Sequence, residues 1–349
     1  MSLTRRPAPL LLSVALSLAA GPLRGQTNDR MQRPPATVRI LQTSAAGDDV
    51  QLIDPATNRV VEVIEGISIP HGATSHPDGS AYYISNEAER TLDVVPVKTL
   101  QVSKRIPLSG RPNNVAITPD GAKVYVAIRS TGSVDVIDTR TELLVKSIRT
   151  YGGVHNVYVT PDGRWAVAGM IADEALTVID TRTDRPAWTL HMGGGVRPMA
   201  FEQNPDGSTR RIFVQISDFH GFYVVDFDRR TVVGKVALPE LPLTHVDDDA
   251  LQNSPAHGLL ITPDGRTLWS TSKPNDYVYA FSLPDLQLLG GVPVGRHPDW
   301  LSVTPDGRWL YAANAGSNDV SVVDTQAMRE VTRIPVGQVP KRNHTAVLP

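Results

Sequence analysis

Hydrophobic and polar positions in this chain follow no helical period. Apolar runs of four to six residues, rich in Val, Ile, Leu and Tyr, alternate with polar turn clusters over most of its length. One unit shows the pattern: Val115-Ala116-Ile117-Thr118, then Lys123 to Ile128, Val134 to Asp138 and Leu144 to Ile148. Runs of this length and composition predict β-strands, and their nearly continuous apolar character suits sheets covered on both faces. Pro-Asp-Gly follows the first run of a unit and occurs six times, at Asp78, Asp120, Asp162, Asp206, Asp264 and Asp306. Pro presets its backbone angle, Asp bonds nearby backbone and Gly accepts a positive φ, so each copy is a turn. A second turn, Asp138-Thr139-Arg140-Thr141 or Asp180-Thr181-Arg182-Thr183, separates the third run from the fourth.

The six aspartates are spaced by 42, 42, 44, 58 and 42 residues. Four antiparallel strands in a repeat of this size are the blade of a β-propeller. Val38 to Ile64 supplies only the second, third and fourth strands of a blade, and His344 to Leu348 has the form of a lone first strand. Joining the two gives six complete blades and one shared between the ends of the ring. The expectation is therefore all-β: a single seven-bladed β-propeller over residues 37–349, with four-stranded blades and a ring closed by the C-terminal strand. Closure of that kind leaves no open sheet edge.

The pattern from Val157 to Thr183, repeated from Leu301 to Thr325, resembles the YVTN repeat of bacterial and archaeal propellers, of the surface-layer and cytochrome-d1 type. The resemblance covers the chain beyond its first residues, with a degenerate copy around Phe201 to Asp226, and implies the same propeller fold.

Composition narrows the chemistry. The 349 residues hold 34 Lys and Arg against 36 Asp and Glu, a formal charge of −2, with no basic block, which argues against nucleic acid as partner. There is no cysteine, which removes disulfides, thiolate metal sites, covalent haem and cysteine nucleophiles together. Residues 1–25 have the layout of a cleaved secretory signal: Arg5 and Arg6, the apolar run Leu10 to Ala20, then Gly21 and Gly25. That run is too short to span a bilayer. Residues 26–36 read as a flexible lead-in. A soluble, monomeric protein, periplasmic or secreted and without a membrane anchor, is expected; whether it leaves by the general or the twin-arginine route stays open.

Topology places candidate chemistry on one rim. In a four-stranded meander the start of the first strand, the turn between the second and third, and the blade-to-blade links share one end of the channel. Seven residues before each Pro-Asp-Gly aspartate stand His71, Asn113, His155, Met199, His257 and Asp299, and the closing strand adds His344. Four of the nine histidines thus fall at one repeat position. Imidazoles converging with a carboxylate and a thioether would suit copper or zinc, so His71, His155, His257 and His344 are metal candidates. Equally, the resemblance implies histidines that bond backbone across the hub with no metal. Asn113, Arg129, Arg197, Lys273 and Asp299, with Glu87, form a charged rim suited to a carboxylate or phosphate ligand. His220, with Asp218 nearby, is a candidate oriented base. The long connection Leu238 to Ala256 carries His245 and Asp247-Asp248-Asp249; it reads as a binding loop or a solvated acidic loop. From the sequence alone a module binding a small-molecule ligand, a metal or a protein through its channel-mouth face is favoured. The alternative is a His-centred enzyme, either a metal-dependent oxidoreductase or a lactonase or lyase.

Overall fold

The computed structural model describes residue 1 and residues 36–240 and 254–348. Every described residue except Met1 belongs to the compact unit Pro35–Pro349. The leader, nearly all of the lead-in, and His245 with Asp247 to Asp249 lie outside the described residues.

Among the described residues there are 28 strands and no helix, arranged as seven four-stranded antiparallel sheets. Blade 1 joins Thr37–Ser44, Asp49–Asp54 and Arg59–Glu65 to the closing strand Pro340–Leu348. Blades 2 to 7 occupy residues 70–107, 112–149, 154–191, 196–237, 259–293 and 298–335, each a simple meander. First strands touch in cyclic order, from Pro340–Leu348 through Pro70–Ser75 and on round to Pro298–Val303, so the ring is closed. The closing strand pairs antiparallel with Thr37–Ser44, with Val38 opposite Val347 and Leu41 opposite His344.

Apolar runs lie where neighbouring blades meet, which is why they lack the alternation of a half-exposed sheet. Tyr125 and Val136 of blade 3 pack with Val157, Ala168 and Ile179 of blade 4. Leu41 and Leu52 of blade 1 meet Tyr82, Ile84 and Val95 of blade 2. On the other side, Ile40 and Ile53 meet Tyr311 and Val322 of blade 7. Each such side chain contributes about 1.5–3 kcal/mol when fully buried. The outer strand of a blade has one covered face only, and Leu143–Arg149 accordingly alternates exposed and covered positions.

Pro-Asp-Gly is structural at every point the bonds reach. Asp120 accepts from Thr118 Oγ1 at 2.5 Å and from the Ala122 amide at 3.0 Å, and Gly121 takes φ of +73°. Thr304, Asp306 and Arg308 repeat the arrangement. The second turn is tied to the first: Thr139, Thr181 and Thr325 donate to the carbonyls of Gly121, Gly163 and Gly307 at 2.6–2.7 Å. This explains why the two turn motifs travel together along the chain. Nearer the hub the first strands converge closely, and a Cβ on Gly72 would come within 2.8 Å of the Val115 amide.

Removal of residues 340–349 tests the closure. It uncovers the edge of Thr37–Ser44 and strips Leu41 of its partner, so the truncated chain is expected to lose its cooperative thermal transition and to elute as aggregate in size-exclusion chromatography. A monomeric product with an unchanged melt would contradict it.

Candidate functional site

In six of the seven blades the first strand enters the hub through a bulge, blade 6 showing none over its paired residues Leu259–Ile261. The pairing register shifts between Pro70 and Ala73, Pro112 and Val115, Val154 and Asn156, Val196 and Met199, and Pro298 and Trp300. A bulge re-aims the side chain it carries. Aligned on these shifts, the mouth of the hub is ringed in blade order by Lys341, His71, Asn113, His155, Arg197, His257 and Asp299. All are spaced by 42 residues except Arg197 and His257, which are 60 apart.

This register corrects two of the positions counted from Pro-Asp-Gly. In blade 5 the ring residue is Arg197, because the first strand there is eight residues long, Val196–Gln203, and the turn comes two residues late. Met199 is instead buried with Val196, Ile212 and Val214 between blades. In blade 1 the ring residue is Lys341, there being no turn motif to count from. His344 lies three residues further along the strand, where its Nε2 meets Ser75 Oγ at 3.0 Å. The 42-residue period, applied to Pro70-His71, Pro298-Asp299 and Pro340-Lys341, carries the signal that finds Lys341.

Asp299 is the electrostatic centre of the ring. It is 1% exposed, with Lys273 Nζ of the preceding blade 2.5 Å from Oδ1 and Lys341 Nζ of the following blade 3.2 Å from Oδ2. Burial opposes its ionisation, but His257 and the two ammonium groups hold the carboxyl well below the ordinary aspartate value. Burial lowers the Lys273 ammonium, against the pull of Asp299. Arg197, partly buried, donates from Nε to Ser217 Oγ at 2.8 Å. Arg129 is exposed on the turn after the second strand of its blade. Glu87 forms a separate pair of contacts, 2.6 Å to Arg111 Nε and 3.3 Å to His71 Nδ1.

The buried imidazoles differ in where the proton sits. His257 Nδ1 donates to the Asp299 carbonyl at 2.9 Å, which leaves the lone pair on Nε2. The Asn156 amide nitrogen donates to His155 Nδ1 at 2.7 Å, which puts that proton on Nε2. The two rings stand edge to face with centroids 5.9 Å apart. Burial holds both well below the usual histidine value, so both are neutral at pH 7. His71 donates from Nδ1 to Glu87, and burial lowers it, like His344, to about 4. Among the described residues no three His, Asp or Glu side chains form a metal-binding group. His71 and His344 stand on partners of their own rather than with the other pair.

Arg342 and Trp300 went unrecognised as a pair. The Arg342 guanidinium lies 4.1 Å over the Trp300 ring, whose centroid is 5.7 Å from that of His257. Neither residue stands at the counted repeat position, and stacking of this kind has no spacing in sequence. His220 and Asp218 do not act on each other: His220 Nε2 meets Ser272 Oγ at 2.8 Å, while Asp218 is exposed at φ of +62°.

These features define a seven-bladed propeller with a polar, cation-rich hub mouth holding two neutral imidazoles of opposite tautomer. The family model for lactonase, 7-bladed beta-propeller, matches residues 149–331, just over half of the chain, and the chain belongs to that family. No curated protein matches it. Among solved structures it is similar to Pseudomonas aeruginosa periplasmic gluconolactonase, with 20% identity, TM-score 0.72, and 90% of this chain covering 100% of that one. Kuenenia stuttgartiensis hydrazine synthase matches with 23% identity and TM-score 0.69, over 80% of this chain and 90% of that chain. A dihydro-heme d1 dehydrogenase matches with 16% identity and TM-score 0.64, over 88% of this chain and 65% of that one. At these identities the likeness is one of fold.

The lowered values of His71, His155, His257 and His344 carry a pH consequence. The unfolded chain takes up protons near pH 6.5 that the folded chain refuses until about 4 at His71 and His344. The unfolded state therefore binds more protons in this window, and stability falls as pH drops from 6.5 toward 4. Urea melts across that range should show the loss, and His344→Gln should make it shallower.

Proposed function

We propose that this protein is an exported hydrolase of small cyclic esters, working as a monomer at the mouth of its hub, and that its blades are of the YVTN kind. Membership of the lactonase family moves the reading from binding module to hydrolysis. The observation that carries the site is the neutral pair His257 and His155, 5.9 Å apart beside a group of cations.

In this reading a water bonded to His257 Nε2 loses its proton to that nitrogen as its oxygen bonds the ester carbonyl carbon. The carbonyl oxygen becomes an oxyanion, and the cations around Asp299 lower its energy in a site shielded from bulk water. When the ring C–O bond breaks, the departing oxygen takes the proton that His257 Nε2 received from the water, while the His155 Nε2–H donates a hydrogen bond to the oxyanion and keeps its proton. His257 is neutral again, and the product is an open hydroxy acid. Trp300 offers an apolar face beside the base, and the Asp299 carbonyl fixes the tautomer that leaves Nε2 free.

Hydrolysis of glucono-δ-lactone, followed by acid release in a pH-stat, tests the proposal. His257→Gln should lower kcat/KM by about 100-fold or more with the melting temperature little changed. His220→Gln should stay within about twofold of the native rate, as its loss touches no reacting group. Because His257 is already neutral, the native rate should not fall between pH 8 and the ordinary histidine value of 6.5. A native protein no faster than spontaneous hydrolysis, on this lactone and on γ-butyrolactone, overturns the proposal.

A further inference from the structure

Below the ring the channel widens into a second space. One position past the ring residues stand Asn114, Trp300 and Arg342, in blades 3, 7 and 1. They make a ceiling. Arg342 stacks on Trp300 at 4.1 Å and donates from Nη2 to Asn113 Oδ1 at 2.6 Å, and Asn114 donates to the Val157 carbonyl at 2.9 Å. Three positions past the ring the side chains of blades 2, 3 and 7 are small: Thr74, Ala116 and Ser302. Short side chains in that layer leave a chamber of about 450 Å³, walled also by Tyr158 and, nearer the Pro-Asp-Gly turns, by Ile117 and Val159. None of the seven ring residues lines it.

Exposure shows where the chamber opens. Asn113 and Asp299 in the ring are 0% and 1% exposed and Arg342 in the ceiling 3%, whereas Ile117, Val159 and Thr345 further along are half-buried. The chamber therefore meets solvent on the Pro-Asp-Gly face, opposite the hub mouth. Its walls are mostly hydrocarbon, and burial keeps the one imidazole among them, His344, neutral. The hydrogen-bonding positions left open at its upper end are donors, since Ser302 Oγ and Arg342 Nε and Nη1 are buried without a partner. Apolar walls with a few placed donors suit an organic molecule that has an apolar body and an accepting oxygen. A full negative charge fits poorly. It would exchange its hydration for hydrocarbon, against a guanidinium already engaged by Asn113 and Trp300. No carboxylate lines the chamber to hold a cation.

We propose that this chamber is a binding site distinct from the hub mouth, entered from the Pro-Asp-Gly face, for an uncharged aromatic molecule carrying a carbonyl oxygen. Tyr158 and Trp300 supply flat apolar surface, and Ser302 Oγ donates to the carbonyl. The ceiling keeps such a molecule apart from His257 and His155, so the site goes beyond the hydrolase reading and does not depend on it.

Titration calorimetry with acetophenone, and with benzoate as an anion of similar shape, is the test. Acetophenone should bind the native protein in the millimolar range or tighter, and several-fold more tightly than benzoate. Ala116→Tyr fills the chamber with the side chain that blade 4 already carries 42 residues further on, at Tyr158. Acetophenone binding should then fall at least tenfold with the melting temperature little changed. Ser302→Ala removes one unpartnered hydroxyl, is the safer variant for folding, and should weaken binding several-fold. His257→Gln should leave binding within about twofold, so that a failed hydrolase reading and a failed chamber give different results. No binding of acetophenone to the native protein would overturn the proposal, as would benzoate binding at least as tightly. So would unchanged binding in both Ala116→Tyr and Ser302→Ala, or loss of binding in His257→Gln, which would put the molecule at the mouth.

Discussion

The carboxylate of Asp299 is the constraint around which the hub is organised. It comes from blade 7, one of its ammonium partners from blade 6 and the other from blade 1, so a single buried charge spans three neighbouring blades. Its backbone carbonyl sets the tautomer of His257, and its charge is felt by Arg197 and Arg342 across the mouth. Buried ion pairs seldom add much net stability, because desolvation offsets the attraction. Their value here is positional. Lys273 and Lys341 each hold one carboxylate oxygen and His257 approaches at 3.5 Å, so the groups around Asp299 are ordered with respect to it.

The propeller supplies the rigidity that such a cluster needs. Side chains on the second strand of one blade hold the backbone of the next blade's ring residue: Thr43 donates to the His71 carbonyl at 2.8 Å and Ser85 to the Asn113 carbonyl at 2.7 Å. The same hydroxyl of Ser85 accepts from the Gly72 amide at 2.7 Å, so ring positions are stitched within and between blades. Sites held by strands of this kind keep their geometry better than sites on loops. The polar mouth can therefore carry several buried charges that a mobile surface would let relax into water.

Fold and site differ in how far the sequence discloses them. Pro-Asp-Gly, the Asp-Thr turns and the apolar runs are local, and each copy repeats the same bonds, so the repeat and the seven blades could be counted without a structure. Ring closure was legible because Val38 to Ile64 lacked a first strand and the chain end had one to give. The site was legible only to the extent that it follows the repeat. Asp299, His257, His155 and Asn113 stand at the counted position, whereas two extra residues in blade 5 displaced the count to Met199 and hid Arg197 as a ring residue. Lys341 lies on the blade with no turn to count from. The partnership of Arg342, Trp300 and Asn113 joins residues up to 229 positions apart, and no local pattern encodes it. The tautomers of His155 and His257 likewise depend on a neighbour's amide and a carbonyl from another blade.

The strand that closes the ring also delivers Lys341 and Arg342. An open ring would lack both the second ammonium on Asp299 and the guanidinium over Trp300, even with six blades already folded. Assembly of the hub is thus an all-or-nothing event, completed by the same pairing of Pro340–Leu348 with Thr37–Ser44 that seals the sheet edge. A chain that is unfolded or only partly wound would carry no assembled hub. The hub is completed together with the sealing of the sheet edge, in a single docking step.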